Sequence, residues 1–329
     1  MQQREKLLRV ENLSVSFSTP SGTIRVVEGV DFDLEQGEVL GIVGESGSGK
    51  SVTALSILRL LAGTSGRIET GRVLFKGANL VELSEEQMRN IRGNDIAMIF
   101  QDPMTSLNPV LRIQTQIVES ILLHQQVSRK EALDQTINIL KAVNLSEIER
   151  VLNGFPFQFS GGQRQRIMIA LGVVCNPSIL IADEPTTALD VTIQAQILEL
   201  MERLRRDIGT SIILITHDLG TIAELCDRVV VMYCGRIVEK GSIYDLFDNP
   251  ANPYTQGLLA SIPKLGVRTD TLESIAGNVP NPHHTPKGCK FGPRCKYMMD
   301  ICRAEEPDFY EVSPGHFSKC WRHQQAETR

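Results

Sequence analysis

"GESGSGKS", Gly44 to Ser51, decides the fold. It matches G-x-x-x-x-G-K-[ST], and each residue type answers to the chemistry of a polyphosphate. Glycines let backbone amides turn inward on phosphate oxygens with no Cβ in the way. Lys50 then reaches the β- and γ-phosphates and the Ser51 hydroxyl ligates Mg²⁺. The pattern assigns Gly44, Ser46, Gly47, Ser48, Gly49, Lys50, Ser51 and Val52 to ATP contact. A Gly-Ser turn that merely contains a lysine is the competing reading, and context opposes it. The preceding "EVLGIVG" is a continuous apolar run, as in a strand buried on both faces. The following "SVTALSILRLL", Ser51 to Leu61, is helical in composition, so its free N–H groups and dipole favour an anion.

A phosphate loop needs a carboxylate site for metal and water. "ILIADEP", Ile179 to Pro185, supplies an apolar strand ending in Asp183 and Glu184. Asp183 is expected to hold Mg²⁺, directly or through water, and Glu184 to polarise the attacking water.

The rest of the chain fits an α/β frame. "RVENLSVSF" and "GVDFDLEQ" alternate apolar residues, with Val30, Phe32 and Leu34 on one face of a strand. "SRKEALDQTINILKAV" opens with a capping box, Ser128 and Glu131, and spaces Leu133, Ile137 and Leu140 at helical intervals. With "RIQTQIVESILLHQQ" before it, this predicts a helical insert over roughly 102–174. Strand patterns return in "SILIA" and "SIILIT". Between them runs an amphipathic helix carrying Ile193, Ile197, Leu200 and Leu204, and "RVVVMYCGRIVEKG" predicts a hairpin turning at Gly235. The alternation predicts a parallel α/β sheet elaborated by a β layer and the insert. Beyond about Pro263 the composition shifts to Pro, Gly, His and Cys. We therefore expect a nucleotide-binding domain over 1–263 and a Cys-rich C-terminal extension over 264–329.

Composition narrows the function classes. The 329 residues carry a net charge of −5, which gives no chain-wide nucleic-acid footprint. The longest apolar candidate, Ile167 to Ala182, is broken by Asn176, Pro177 and Ser178, so no membrane span is expected. The N-terminus is charged and lacks an apolar signal region, which predicts a cytosolic chain with reduced thiols.

"FSGGQ", Phe159 to Gln163, resembles the signature motif of the ATP-binding cassette (ABC) superfamily, with Phe where Leu is usual. The other elements of that family stand around it in order. Gln101 in "MIFQDP" resembles the Q-loop glutamine, Asp190 in "TTALD" the D-loop aspartate, and His217 in "ITHD" the switch histidine. Phe17 falls where the family keeps an aromatic that stacks on adenine, although an aromatic also suits a strand core. The resemblance implies a P-loop NTPase cassette with a RecA-like core, an antiparallel β layer and a helical insert. It also implies catalytic roles for Glu184, His217 and Gln101, with Mg²⁺ held by Ser51, Gln101 and Asp183. Two cassettes would pair head-to-tail, so that Ser160, Gly161, Gly162 and Gln163 contact the nucleotide of the partner chain.

Further stretches are similar to the ATPases of the dipeptide, oligopeptide and nickel importers: "QDPMTSLNPVLRI", "NPANPYTQGLLASIPKL" and "GCKFGPRCKYMMDICRAEEP". The nearest likeness is to the ATPase of a dipeptide permease. That likeness implies a peripheral subunit on the cytoplasmic face of the cell membrane. Its expected partners are a second ABC ATPase (a paralogue, or a second copy), two transmembrane permease subunits and an extracytoplasmic substrate-binding protein, with no nucleic acid. A nickel importer is the alternative within the family. Soluble ABC ATPases acting on DNA or ribosomes are the competing class. They carry long coiled coils, two cassettes or C-x-x-C zinc modules, and this chain has none of these.

The last feature is the spacing C-x5-C-x6-C-x17-C of Cys289, Cys295, Cys302 and Cys320. Structural zinc sites usually contain a C-x(2–4)-C knuckle, whereas iron–sulfur spacing is looser. The importer resemblance implies a 4Fe–4S cluster on these residues, with Zn²⁺ as the alternative; free buried thiols and disulfides are the bland readings. His283, His284 and His316 lie nearby as substitute ligands or surface residues. Cys175, Cys226 and Cys234 sit in apolar contexts and are expected in the core.

Overall fold

A computed structural model describes residues 6–102, 106–187, 189–262, 275–283 and 285–328. His284 and the expected division at 263/264 lie outside the described residues. The chain forms two compact units, one built from 6–34, 39–81 and 216 onward, the other from 35–38 and 82–215.

The first unit begins with strands β1 (Lys6–Thr19) and β2 (Gly22–Glu35), followed by β3 (Val39–Val43) and helix α1 (Lys50–Ile57). Strands β4 (Gly66–Phe75) and β5 (Ala78–Asn79) complete an antiparallel layer of order β2-β1-β4-β5. Alternation decides its inner face: Val30, Phe32 and Leu34 are all buried, opposite exposed or half-exposed neighbours. The helix is shorter than its composition predicts, stopping at Ile57 instead of Leu61. Arg59 takes a left-handed φ of 53°, and the Leu60 N–H donates back to the Leu55 carbonyl, closing the helix. The Arg59 guanidinium is held away from the helix by the Leu80 carbonyl.

Among the described residues the second unit holds helix α2 (Glu85–Ile91), strand β6 (Ile96–Ile99) and the α-helices of the insert. These are α3 (Ile113–His124), α4 (Arg129–Ala142), α5 (Ile148–Asn153) and α6 (Gly161–Val173). The capping box forms as the sequence predicts. Ser128 Oγ accepts from the Glu131 N–H, and the Ser128 N–H donates to the Glu131 carboxylate. The buried face of α4 differs from the spacing argument, since Ala132, Thr136 and Leu140 point inward while Leu133 and Ile137 are half-buried. Thr136 can be buried because its hydroxyl donates to the Ala132 carbonyl. Strands β7 (Ile179–Asp183) and β8 (Ser211–Thr216) flank helix α7 (Val191–Ile208), and β6, β7 and β8 run parallel.

The chain then returns to the first unit through helix α8 (Leu219–Leu225) and the hairpin β9 (Arg228–Tyr233) and β10 (Arg236–Ser242). The hairpin turns through Cys234 and Gly235, with φ of 46° and 77°, the two left-handed residues of a type I′ turn. A Cβ at Gly235 would stand 2.3 Å from the Val26 carbonyl oxygen, so glycine is required there. Parallel pairing of β9 with β3 sets Val229 opposite Gly41. Helices α9 (Ile243–Asp248), α10 (Pro253–Ala260) and α11 (Asp300–Ala304) follow, then strands β11 (Tyr310–Ser313) and β12 (His316–Ser318). Sequence patterning missed the destination of those last strands. Strand β12 pairs antiparallel with β10, and β11 with β12, so the C-terminal residues extend the sheet of the first unit.

Candidate active site and cysteine pocket

The fully buried strand β3 delivers the phosphate loop directly into α1. Gly44, Gly47 and Gly49 have φ of 153°, 79° and 98°. A Cβ on Gly44 would meet the Met232 carbonyl oxygen at 2.2 Å, so no other residue fits between this loop and β9. Lys50 is only 5% exposed, and its Nζ donates to the carbonyls of Gly44 (2.7 Å) and Glu45 (3.1 Å). The ammonium is thus held across the loop by its own backbone carbonyls. Ser46 and Gly47 are exposed, Ser48 and Gly49 are buried, and Ser51 and Val52 are half-buried at the first turn of α1. Phe17 is half-buried, standing across from Gly66 in the β1–β4 pairing with its ring over the glycine. It is therefore only partly enclosed by the core.

In the second unit Asp183 ends β7 at 5% exposure, and Glu184 follows at a left-handed φ of 48°. That turn aims the Glu184 carboxylate toward the Q-loop. Gln101 Nε2 donates to Glu184 Oε2 at 2.8 Å, and the Thr187 hydroxyl donates to the same oxygen at 2.9 Å. Thr187 was not singled out from sequence; its position three residues beyond Glu184 was the available signal. Two donors on one oxygen fix the orientation of the carboxylate, as a group that orients water requires.

The signature residues form a helix start. Ser160 Oγ accepts from the Gln163 N–H, and Gln163 Oε1 accepts from the Ser160 N–H, a reciprocal cap on α6. Ser160 and Gly161 are exposed, and Gly162 has no room for a side chain because a Cβ would touch Ile193 at 2.9 Å. The unusual Phe159 is 5% exposed, and its ring occupies the space where Gly154 lacks a side chain. The substitution of Phe for Leu is therefore a packing change beneath the exposed Ser and Gly. Asp190 caps α7 by accepting from the Ile193 N–H at 3.0 Å. His217 lies exposed just past the end of β8.

Cys289, Cys295, Cys302 and Cys320 line one cavity together with Phe291 and Trp321. All four are free thiols, and the Cys289 N–H donates to the Cys302 carbonyl, tying two of the segments together. Among the described residues no three His, Cys, Asp or Glu side chains stand close enough to hold an ion. Burial pushes the Cys289 thiol up to about 11, and raises Cys295 and Cys320 as well. Backbone amides of Phe291 and Gly292, Tyr297 and Arg322 pull those same three sulfurs in the other direction.

A pH dependence follows. The neutral Cys289 thiol is favoured in the folded chain, so its contribution is complete below its ordinary value of 9.0 and is lost as pH rises through about 11. A displacement of that size corresponds to about 2–3 kcal/mol. Thermal unfolding of the reduced, ligand-free protein should therefore show falling stability from pH 9 to 11, and Cys289→Ser should flatten the decline.

The neighbouring residues differ from expectation. His316 is buried rather than at the surface, and its Nε2 lies 2.7 Å from the buried Glu239 carboxylate, away from the thiols. His283 is exposed beside Ser21. Cys175 and Cys226 are core residues, whereas Cys234 is half-buried in the hairpin turn, where its left-handed φ removes it from the strand pattern.

Residues 27–187 match the family model described as ABC transporter, and residues 238–302 match that of the oligopeptide/dipeptide transporter C-terminal region. A probable peptide ABC transporter ATP-binding protein of Sinorhizobium fredii is 52% identical over 96% of this chain and 95% of its own. A dipeptide transport ATP-binding protein of Bacillus subtilis is 50% identical over 96% of this chain and 95% of its own. Among solved structures, a dimeric ATP-binding cassette in a post-hydrolysis state with ADP and Pi has a TM-score of 0.65 at 26% identity. It covers 72% of this chain and 98% of its own.

Proposed function

The chain belongs to the ABC transporter family of ATP-binding subunits, and from that premise we propose that it drives a peptide importer by hydrolysing ATP. The observation that carries this reading is the coincidence, in one chain, of a complete hydrolytic residue set with the oligopeptide/dipeptide C-terminal region. Lys50 and the loop amides bind the phosphates of ATP. Ser51, Gln101 and Asp183 offer hydroxyl, amide and carboxylate oxygens, a donor set that suits Mg²⁺. Glu184, held by Gln101 and Thr187, orients and deprotonates the attacking water, and His217 completes the γ-phosphate end.

The exposed Ser160 and Gly161 at the start of α6 support a role in trans on the nucleotide of a partner cassette, with Asp190 at the same junction. The partner is a related ATPase or a second copy of this chain. Permease subunits and a substrate-binding protein complete the assembly, which sets this chain on the cytoplasmic face of the membrane. No helix among the described residues is long and apolar enough to cross a membrane. A docking surface is supported by the helical insert, which exposes Val110, Leu123 and Phe157 at 76%, 69% and 63%.

We further propose that residues 264–329 form a Cys-rich extension whose four thiols hold a 4Fe–4S cluster, with Zn²⁺ as the alternative. The fit rests on four free thiols around one cavity and on backbone amides directed at three of the sulfurs. A bound group would supply metal–thiolate bonds that fold a segment poor in aliphatic residues.

One preparation tests both proposals: anaerobic purification of the tagged chain from its own host membranes. Two permease subunits and a second ATPase should copurify, with iron and labile sulfide near four each per chain. Zinc without sulfide would replace the cluster by the alternative, and the absence of membrane partners would overturn the importer reading.

A further inference from the structure

Glu45, the second residue of the phosphate loop, is held from far along the chain. Both Nη atoms of Arg294 donate to its carboxylate, at 2.7 and 3.0 Å. Its N–H donates to the Tyr254 hydroxyl at 2.9 Å, and its carbonyl accepts from Lys50 Nζ. The residue that positions the P-loop lysine is thus itself positioned by side chains more than 200 residues later.

Arg294 is built into this place. Its side chain is 5% exposed, its Nε donates to the Ala276 carbonyl at 3.0 Å, and Nη1 lies 3.3 Å from the Tyr233 hydroxyl. The rings of Tyr233, Tyr254 and Phe291 pack together beside it, with centroids 4.6 to 5.3 Å apart. The two parallel donations make a forked, charge-assisted ion pair. Arg294 approaches from the one-turn helix Gly292–Arg294, between Cys289 and Cys295.

A buried cation is costly unless paired, so its placement against a P-loop carboxylate calls for a physical reason. ATP brings several negative charges to this loop. A free carboxylate at Glu45 would repel them and would compete for the Lys50 ammonium. The Arg294 fork neutralises Glu45 and fixes its backbone carbonyl under Lys50.

We propose that Arg294 is a positioning residue of the ATP site, acting through Glu45. The inference rests on the ATP-binding reading and adds a residue to it. The test is the Kd of a non-hydrolysed fluorescent ATP analogue with Mg²⁺, together with KM and kcat of the assembled complex. Arg294→Ala should weaken binding about tenfold, the value of one charge-assisted interaction, and raise KM more than it lowers kcat. Arg294→Lys, which keeps the charge without the fork, should recover part of the affinity. The double variant Glu45→Ala/Arg294→Ala should recover part of the affinity lost by Arg294→Ala alone, because the repelling carboxylate is gone.

A purely structural Arg294 would instead lower the melting temperature with Kd unchanged, or leave the double variant as weak as the single one. Either result overturns the proposal. Lys50→Ala separates it from the underlying reading: if that variant binds ATP normally, the ATP site itself is misassigned. If it fails to bind while Arg294→Ala binds like wild type, only the role of Arg294 falls.

Discussion

Glu184→Gln is expected to stop hydrolysis at this chain's own phosphate loop while leaving ATP bound. The variant keeps the volume and one acceptor oxygen, so the Gln101 and Thr187 contacts can persist and the left-handed turn at residue 184 is not disturbed. What is lost is the negative charge that takes a proton from water. General-base loss typically lowers turnover by about 10² to 10⁴-fold. Single-turnover hydrolysis in the partnered complex measures this, alongside retention of ATP in the closed dimer. Normal turnover from this site would show that another residue activates the water.

Lys50→Ala has the second large effect, on binding. The ammonium supplies a charge-assisted contact to the terminal phosphates, and its removal alone costs about 10- to 100-fold in affinity. The loss goes beyond the direct contact. Lys50 also ties the carbonyls of Gly44 and Glu45, and without it the loop loses this internal brace. Titration with labelled ATP and Mg²⁺ is the check, and unchanged affinity would remove the phosphate loop from the site. The two variants divide the mechanism: one binds without turnover, the other fails before turnover begins.

The motifs proposed to bind and hydrolyse ATP were legible in the sequence because their residues are fixed by short-range chemistry. Gly44 must lack a Cβ to clear Met232, Gly49 must turn left-handed to start α1, and Asp183 must follow a buried strand. Such requirements leave contiguous motifs. The capping box at Ser128 was legible for the same reason, since it is closed within four residues.

What escaped sequence reading is long-range. Arg294 and Glu45 lie 249 positions apart, and nothing local marks them as a pair. The pairing of β12 with β10 is equally non-local, and it attaches the C-terminal segment to the sheet of the first unit. His316 reads from sequence as a surface residue or a substitute ligand, yet it is buried against Glu239, because a buried His–carboxylate pair leaves no trace in spacing. The early end of α1 is a different case. Composition favours continuation through Leu61, but the left-handed Arg59 and its bond to Leu80 override propensity.

The central claim is that this chain couples ATP hydrolysis to peptide import. The most direct measurement is ATPase activity of the complex reconstituted with its permease subunits and second ATPase in proteoliposomes. It is read with the substrate-binding protein empty and then loaded with peptide. Peptide-loaded binding protein should stimulate hydrolysis, and Glu184→Gln in this chain should abolish the contribution of its own site. Hydrolysis indifferent to peptide-loaded binding protein would contradict the account.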